Sequence, residues 1–84
     1  MDKRFVSWSP TARADLRAID RKIALGILQA IDDYLAKGIG DVIMLQGPRA
    51  EFRLRVGDYR VIFLPAGEHS MEVLHVKHRS QAYR

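Results

Sequence analysis

Apolar residues recur at three- or four-residue steps through Ala12, Leu16, Ile19, Ile23, Ile27, Ile31 and Leu35. That spacing lays a single stripe along an amphipathic helix. Ahead of it, Phe5, Val6 and Trp8 within Arg4 to Ser9 form a short apolar segment that reads as an opening strand. Ser9-Pro10 ends the strand and starts the helix: the serine hydroxyl can cap free amide groups, and proline at the first helical position has a preset φ and no N–H to satisfy. One long helix or two would both carry the stripe. Asp20 can cap a second helix after a brief break, and the hairpin is preferred because roughly 25 residues in one straight helix would overhang so small a domain. Lys37-Gly38 places a cation in the last turn and a glycine stop after it.

Beyond Gly38 the period shortens. Asp41 to Leu45 is extended and apolar, either a strand or a connector, and Gln46-Gly47-Pro48 breaks it. Glu51–Val56 and Tyr59–Leu64 then alternate on either side of Gly57-Asp58, a two-residue Gly-X loop suited to a type II′ hairpin. Met71–Val76 makes a last strand before a polar tail, Lys77 to Arg84. The order β, α, α, β-meander predicts an α+β fold, with a helical pair packed on an antiparallel sheet.

The hairpin sorts side chains by face. A two-residue turn sets Val56 opposite Tyr59, Arg55 opposite Arg60, Leu54 opposite Val61 and Arg53 opposite Ile62. Phe52, Leu54, Val56, Tyr59, Val61 and Phe63 then share a core face, and Arg53, Arg55 and Arg60 share the other. Like charges directly across a sheet repel, so something must offset Arg55 and Arg60. Carboxylates from the rest of the fold would suffice, but the hairpin supplies only Glu51 at that parity. An anionic partner is the sharper reading, since the flat, permanently charged guanidinium binds phosphate or carboxylate bidentately. The alternation of the last strand is ambiguous. With Leu74 and Val76 taken as core, His75, Lys77 and Arg79 join the arginine face.

Composition narrows the partner. The 84 residues suffice for one domain, spanning 1–84, and too few for two. The 48% apolar and 29% charged content is that of a folded chain. The net charge of +4 is uneven. Residues 1–48 hold seven Lys/Arg against six Asp/Glu, and residues 49–84 seven against four with all three histidines. The second half therefore carries the positive field. There is no cysteine, and no apolar run approaches the roughly 20 residues that cross a bilayer. These features point to a soluble, unprocessed cytoplasmic protein without membrane partners. His75 and His78 lie badly spaced for one face of a strand and have no Cys or carboxylate cluster beside them, so no metal or other cofactor is expected.

The run Phe52-Arg53-Leu54-Arg55-Val56-Gly57-Asp58-Tyr59-Arg60-Val61-Ile62-Phe63, with Val76-Lys77-His78-Arg79 and Ala82-Tyr83-Arg84 after it, resembles the RelE branch of the RelE/ParE toxins. Trp8-Ser9-Pro10, Ala12, Leu16 and Leu45-Gln46-Gly47 extend the likeness over nearly the whole chain. It implies a microbial-ribonuclease-like α+β fold, an N-terminal strand and helical hairpin on a curved antiparallel sheet, and a cognate antitoxin protein as partner in a type II toxin-antitoxin system. RelE-like members cleave mRNA in the ribosomal A site; ParE-like members inhibit DNA gyrase.

Carried over residue by residue, Arg53 and Arg55 match basic positions of the RelE motif and Arg60 its phosphate-stabilising arginine. Lys77 or Arg79 matches a later basic position, and Tyr83 the near-terminal tyrosine. One departure matters: the two positions that are lysines in the best-known RelE pattern are arginines here. Arginine stabilises charge but is a poor base at neutral pH. His78 is the natural substitute, with His75 in reserve, because imidazole ordinarily titrates near neutrality. The expected machinery is Arg60, His78 and Tyr83 at the chemistry, with Arg53, Arg55, Lys77 and Arg79 on RNA phosphates, in a ribosome-dependent, metal-independent endoribonuclease that inhibits translation. The alternative is a gyrase inhibitor with no chemistry of its own. A generic RNA-binding module is a third reading, but it lacks the exposed aromatics used for base stacking.

Overall fold

A computed structural model of the chain describes residues 4–81. The elements run β1 (Phe5–Trp8), α1 (Pro10–Arg17), α2 (Arg21–Lys37), β2 (Asp41–Met44), β3 (Phe52–Val56), β4 (Tyr59–Pro65) and β5 (Ser70–His78). The helical break falls where the capping residues place it. Ser9 Oγ accepts from Ala12 N–H at 3.0 Å with Pro10 opening α1, and Asp20 Oδ2 accepts from Lys22 N–H at 3.1 Å. Gly38 closes α2 at φ 71°, a left-handed conformation that glycine reaches without steric cost.

The five strands form one sheet in the order β1-β5-β4-β3-β2. The α+β architecture is as expected, and Asp41–Met44 proves a true strand, antiparallel to β3. The sheet itself is mixed, because β1 pairs with β5 in parallel, Phe5 beside Ser70 through Trp8 beside Val73. The hairpin has the register that its two-residue loop dictates, from Val56 opposite Tyr59 to Phe52 opposite Phe63. Gly57 takes φ 57° while Asp58 stays out of the positive-φ region, as a type II′ turn requires.

The core lies between the helices and one sheet face. Ala12, Ile27, Ile31 and Leu35 pack with Leu54, Val61, Phe63, Met71, Val73 and Val76. Burying each large member contributes about 1.5–3 kcal/mol. Phe63 sits at the centre, its ring 5.7 Å from Tyr34 and 5.8 Å from Phe52. Trp8 and Tyr59 pack partly buried against the cluster. Ile23 departs from the stripe and is 45% exposed, one turn before the first buried residue of α2.

The ambiguity of the last strand is a β-bulge. Ile62 faces His75, but Phe63 faces Val73, so Leu74 is an extra residue opposed by none. Met71 and Val73 point to the core before the bulge and Val76 after it. Leu74 is buried yet stands outside the main cluster, unlike the expectation that grouped it with Val76.

Candidate functional site

The register assembles two rows across the face opposite the core. One row reads Asp41, Arg55, Arg60, Lys77 over β2, β3, β4 and β5; the next reads Ile43, Arg53, Ile62, His75. Three cations thus stand side by side on neighbouring strands, where Cβ atoms lie about 4.5–5.5 Å apart. Arg60 is in the middle and only 8% exposed, the one buried charged or polar residue among those described.

No carboxylate pairs with Arg60 among the described residues. Its Nη1 donates to the backbone carbonyls of Gly57 and Tyr59, both at 3.1 Å, and its Nε is buried without a hydrogen-bond partner. A guanidinium removed from water and left short of acceptors costs free energy unless an anion completes its shell. Arg55 is exposed and makes no ion pair among the described residues. The ends of the patch are partly offset. Arg53 Nη2 lies 3.2 Å from Asp41 Oδ1, and Lys77 Nζ lies 3.7 Å from Asp15 Oδ1.

The edge of β5 explains how Asp15 reaches Lys77. Because β1 pairs only as far as Val73, the rest of β5 presents unpaired backbone on that side. Ser9 and Asp15 fill it. Ser9 N–H donates to Val73 O at 2.9 Å, Ser9 Oγ donates to Leu74 O at 2.8 Å, and Asp15 Oδ2 accepts from Val76 N–H at 3.0 Å. Sequence reading missed Asp15, since nothing in the helical stripe distinguishes it from a solvated acid.

The histidines separate by parity. His75 stands beside Lys77 on the cationic side, and its Nδ1 is buried without a hydrogen-bond partner. His78 faces Tyr59 on the core side, its ring edge-on at 5.3 Å. Its Nδ1 accepts from Ser80 N–H at 3.2 Å and lies 3.0 Å from Ser80 Oγ, which places the remaining ring proton of the neutral form on Nε2. The structure therefore brings His75, rather than His78, to the arginine face, one row along from Arg60 and Lys77. Arg79 lies past the end of β5, tied to the hairpin turn by its backbone N–H to Asp58 O at 2.7 Å. Its guanidinium Nε is 3.9 Å from Asp58 Oδ1 and largely exposed. Tyr83 falls outside the described residues. Among those described, no group of three His, Cys, Asp or Glu side chains is arranged to hold a metal ion, and no helix is long and apolar enough to cross a membrane.

A family model described as the ParE toxin of type II toxin-antitoxin system, parDE, matches residues 6–83. The chain belongs to this family, within the RelE/ParE superfamily. Three solved structures of similar fold come from toxin-antitoxin complexes. The RelBE2 complex of Mycobacterium tuberculosis includes a chain 28% identical to this RelE/ParE toxin, with a TM-score of 0.70, covering 90% of this chain and 98% of that one. The archaeal RelE-RelB complex of Pyrococcus horikoshii gives 24% identity and a TM-score of 0.71 over 94% and 98% of the two chains. The RelB-RelE complex of Methanococcus jannaschii gives 22% and 0.73 over 92% and 94%. A search of curated protein sequences returned no match. The chain is thus a type II toxin of the RelE/ParE superfamily, with two helices on a five-stranded mixed sheet.

Proposed function

We propose that this toxin is neutralised by a cognate antitoxin and, when free, cleaves mRNA on the ribosome as a metal-independent endoribonuclease. The observation that carries the reading is Arg60, a nearly buried guanidinium between two further cations, with backbone carbonyls as its acceptors and no carboxylate paired with it among the described residues. Such a site is poised for the charge that gathers on phosphorus during transesterification. In that step the 2′-oxygen loses its proton to a base and bonds to phosphorus. The P–O5′ bond then breaks, and the leaving oxygen takes a proton from an acid, giving a 2′,3′-cyclic phosphate and a 5′-hydroxyl.

Arg60 stabilises the phosphoryl oxygens, and Arg55, Arg53 and Lys77 hold neighbouring phosphates. We assign a proton-transfer role to His75 ahead of His78, because it shares the arginine face; by their match to the RelE pattern, Arg79 is assigned to RNA phosphate and Tyr83 to the chemistry. The chains of similar fold in antitoxin complexes support the partner.

A second reading, inhibition of DNA gyrase without chemistry, is favoured by the family description and by the internal pairing of Arg53 with Asp41 and of Lys77 toward Asp15. One experiment separates them. The chain is induced in cells without its antitoxin, mRNA 5′ ends are mapped, and plasmid supercoiling is scored. Codon-phased cuts with normal supercoiling are expected; intact mRNA with altered supercoiling would transfer the assignment to gyrase.

A further inference from the structure

The two backbone groups that flank His75 in β5 are both held by side chains of α1 and its N-cap. Ser9 Oγ donates to Leu74 O at 2.8 Å, and Asp15 Oδ2 accepts from Val76 N–H at 3.0 Å. Asp15 Oδ1 stands 3.7 Å from the Nζ of Lys77, the next residue along. We propose that Asp15 is a positioning residue for cleavage, one carboxylate that sets the strand carrying His75 and draws the Lys77 ammonium to the edge of the site. The proposal rests on the ribonuclease reading above.

Lys77 lies directly opposite Arg60 across β4 and β5, so the two cations repel, and a lysine on its flexible stem is free to swing away into solvent. Among the described residues, Asp15 is the one carboxylate paired with Lys77. Its side chain is 19% exposed, so its charge is screened less than one on open surface. Asp15 cannot follow the lysine, because its other oxygen is tied to the backbone of β5. The anion is fixed and the cation orients to it. At 3.7 Å the pair is beyond hydrogen-bonding distance, so Asp15 steers the ammonium without taking up one of its donors. Lys77 is thereby held apart from Arg60, one cation for the reacting phosphate and one for its neighbour. His75 follows the extra residue of the bulge, where the ladder to β4 is disrupted. The bonds from Ser9 and Asp15 stiffen the strand at that point.

The test is a double-mutant cycle on the single-turnover rate of mRNA cleavage on programmed ribosomes, with Asp15→Asn, Lys77→Ala and the two combined. Asparagine keeps an acceptor oxygen for Val76 N–H and removes the charge. Asp15→Asn, with its backbone amide spectrum otherwise preserved, is expected to cleave about ten- to a hundredfold more slowly at unchanged ribosome affinity. The double variant is expected to be no slower than Lys77→Ala, because the charge acts through that lysine. Effects that multiply, Asp15→Asn at the wild-type rate, or a loss of ribosome affinity alone would overturn the proposal. A second measurement needs no cleavage. The Lys77 ammonium ¹⁵N signal of the full chain is expected to show restricted motion beside that of exposed Lys22, and to lose the restriction in Asp15→Asn. A wild-type Lys77 as mobile as Lys22 would overturn the positioning role. If wild type leaves mRNA intact, the nuclease reading fails, while this signal still decides whether Asp15 holds Lys77.

Discussion

The carboxylate of Asp15 in α1 accepts a hydrogen bond from the backbone N–H of Val76 in β5, 61 positions along the chain, at 3.0 Å. It closes the edge of β5 that β1 leaves open and sets its other oxygen 3.7 Å from Lys77 Nζ. A helix side chain thus takes the place of a missing strand and fixes the segment that carries His75 and Lys77.

Removing that acceptor strands a buried amide. Asp15→Ala is expected to cost about 1.5–3 kcal/mol, and Asp15→Asn, which keeps one acceptor oxygen, clearly less. Urea denaturation midpoints measure both. An Asp15→Ala midpoint equal to wild type would mean that the amide is satisfied by other means.

Arg55 and Arg60 face each other across β3 and β4. Replacing the exposed member relieves the repulsion, so Arg55→Gln is expected to raise stability by roughly 0.2–1 kcal/mol while weakening growth inhibition. Thermal denaturation beside a plating assay reads the two effects. A variant that loses stability as well as toxicity would show that Arg55 supports the fold.

Gly40 is expected to resist substitution. It has φ 155°, and a Cβ placed on it would meet Leu54 Cδ1 at 2.9 Å, in a side chain 1% exposed within the core. Gly40→Ala should cost about 1–3 kcal/mol through this overpacking. A denaturation midpoint within error of wild type would show that Leu54 has room to repack.

Much of this arrangement is legible in the residues. The helix caps follow from Ser9-Pro10, Asp20 and Gly38, and the arginine face follows from a loop of two residues, because loop length fixes register and register fixes parity. The bulge is not legible: Val73 and Leu74 are both apolar, and either can be assigned to the core until cross-strand pairing shows that both are buried. Parallel pairing of β1 is equally hidden, since a four-residue strand carries no mark of its neighbour or direction. The histidines show the consequence. His75 and His78 differ in parity, so the strand carries one to the cationic side and the other to Tyr59. Chemical suitability alone did not distinguish them.

His75→Ala and His78→Ala therefore separate the geometric assignment from the one based on residue type. Loss of cleavage is expected to be larger for His75→Ala, by about tenfold or more, the lower range of a general acid-base contribution being roughly 10²-fold. Initial rates of mRNA cleavage by the two variants give the comparison. The reverse order would return the proton-transfer role to His78.

The most direct measurement of the central claim is the single-turnover rate of mRNA cleavage on programmed ribosomes by wild-type chain and by Arg60→Lys. Lysine keeps the charge but not the planar, multiply donating guanidinium. A rate reduced about 10²- to 10³-fold, with the variant folded by circular dichroism, is expected of a group that stabilises charge at the reacting phosphorus. Cleavage at the wild-type rate, or no ribosome-dependent cleavage by wild type at all, would contradict it.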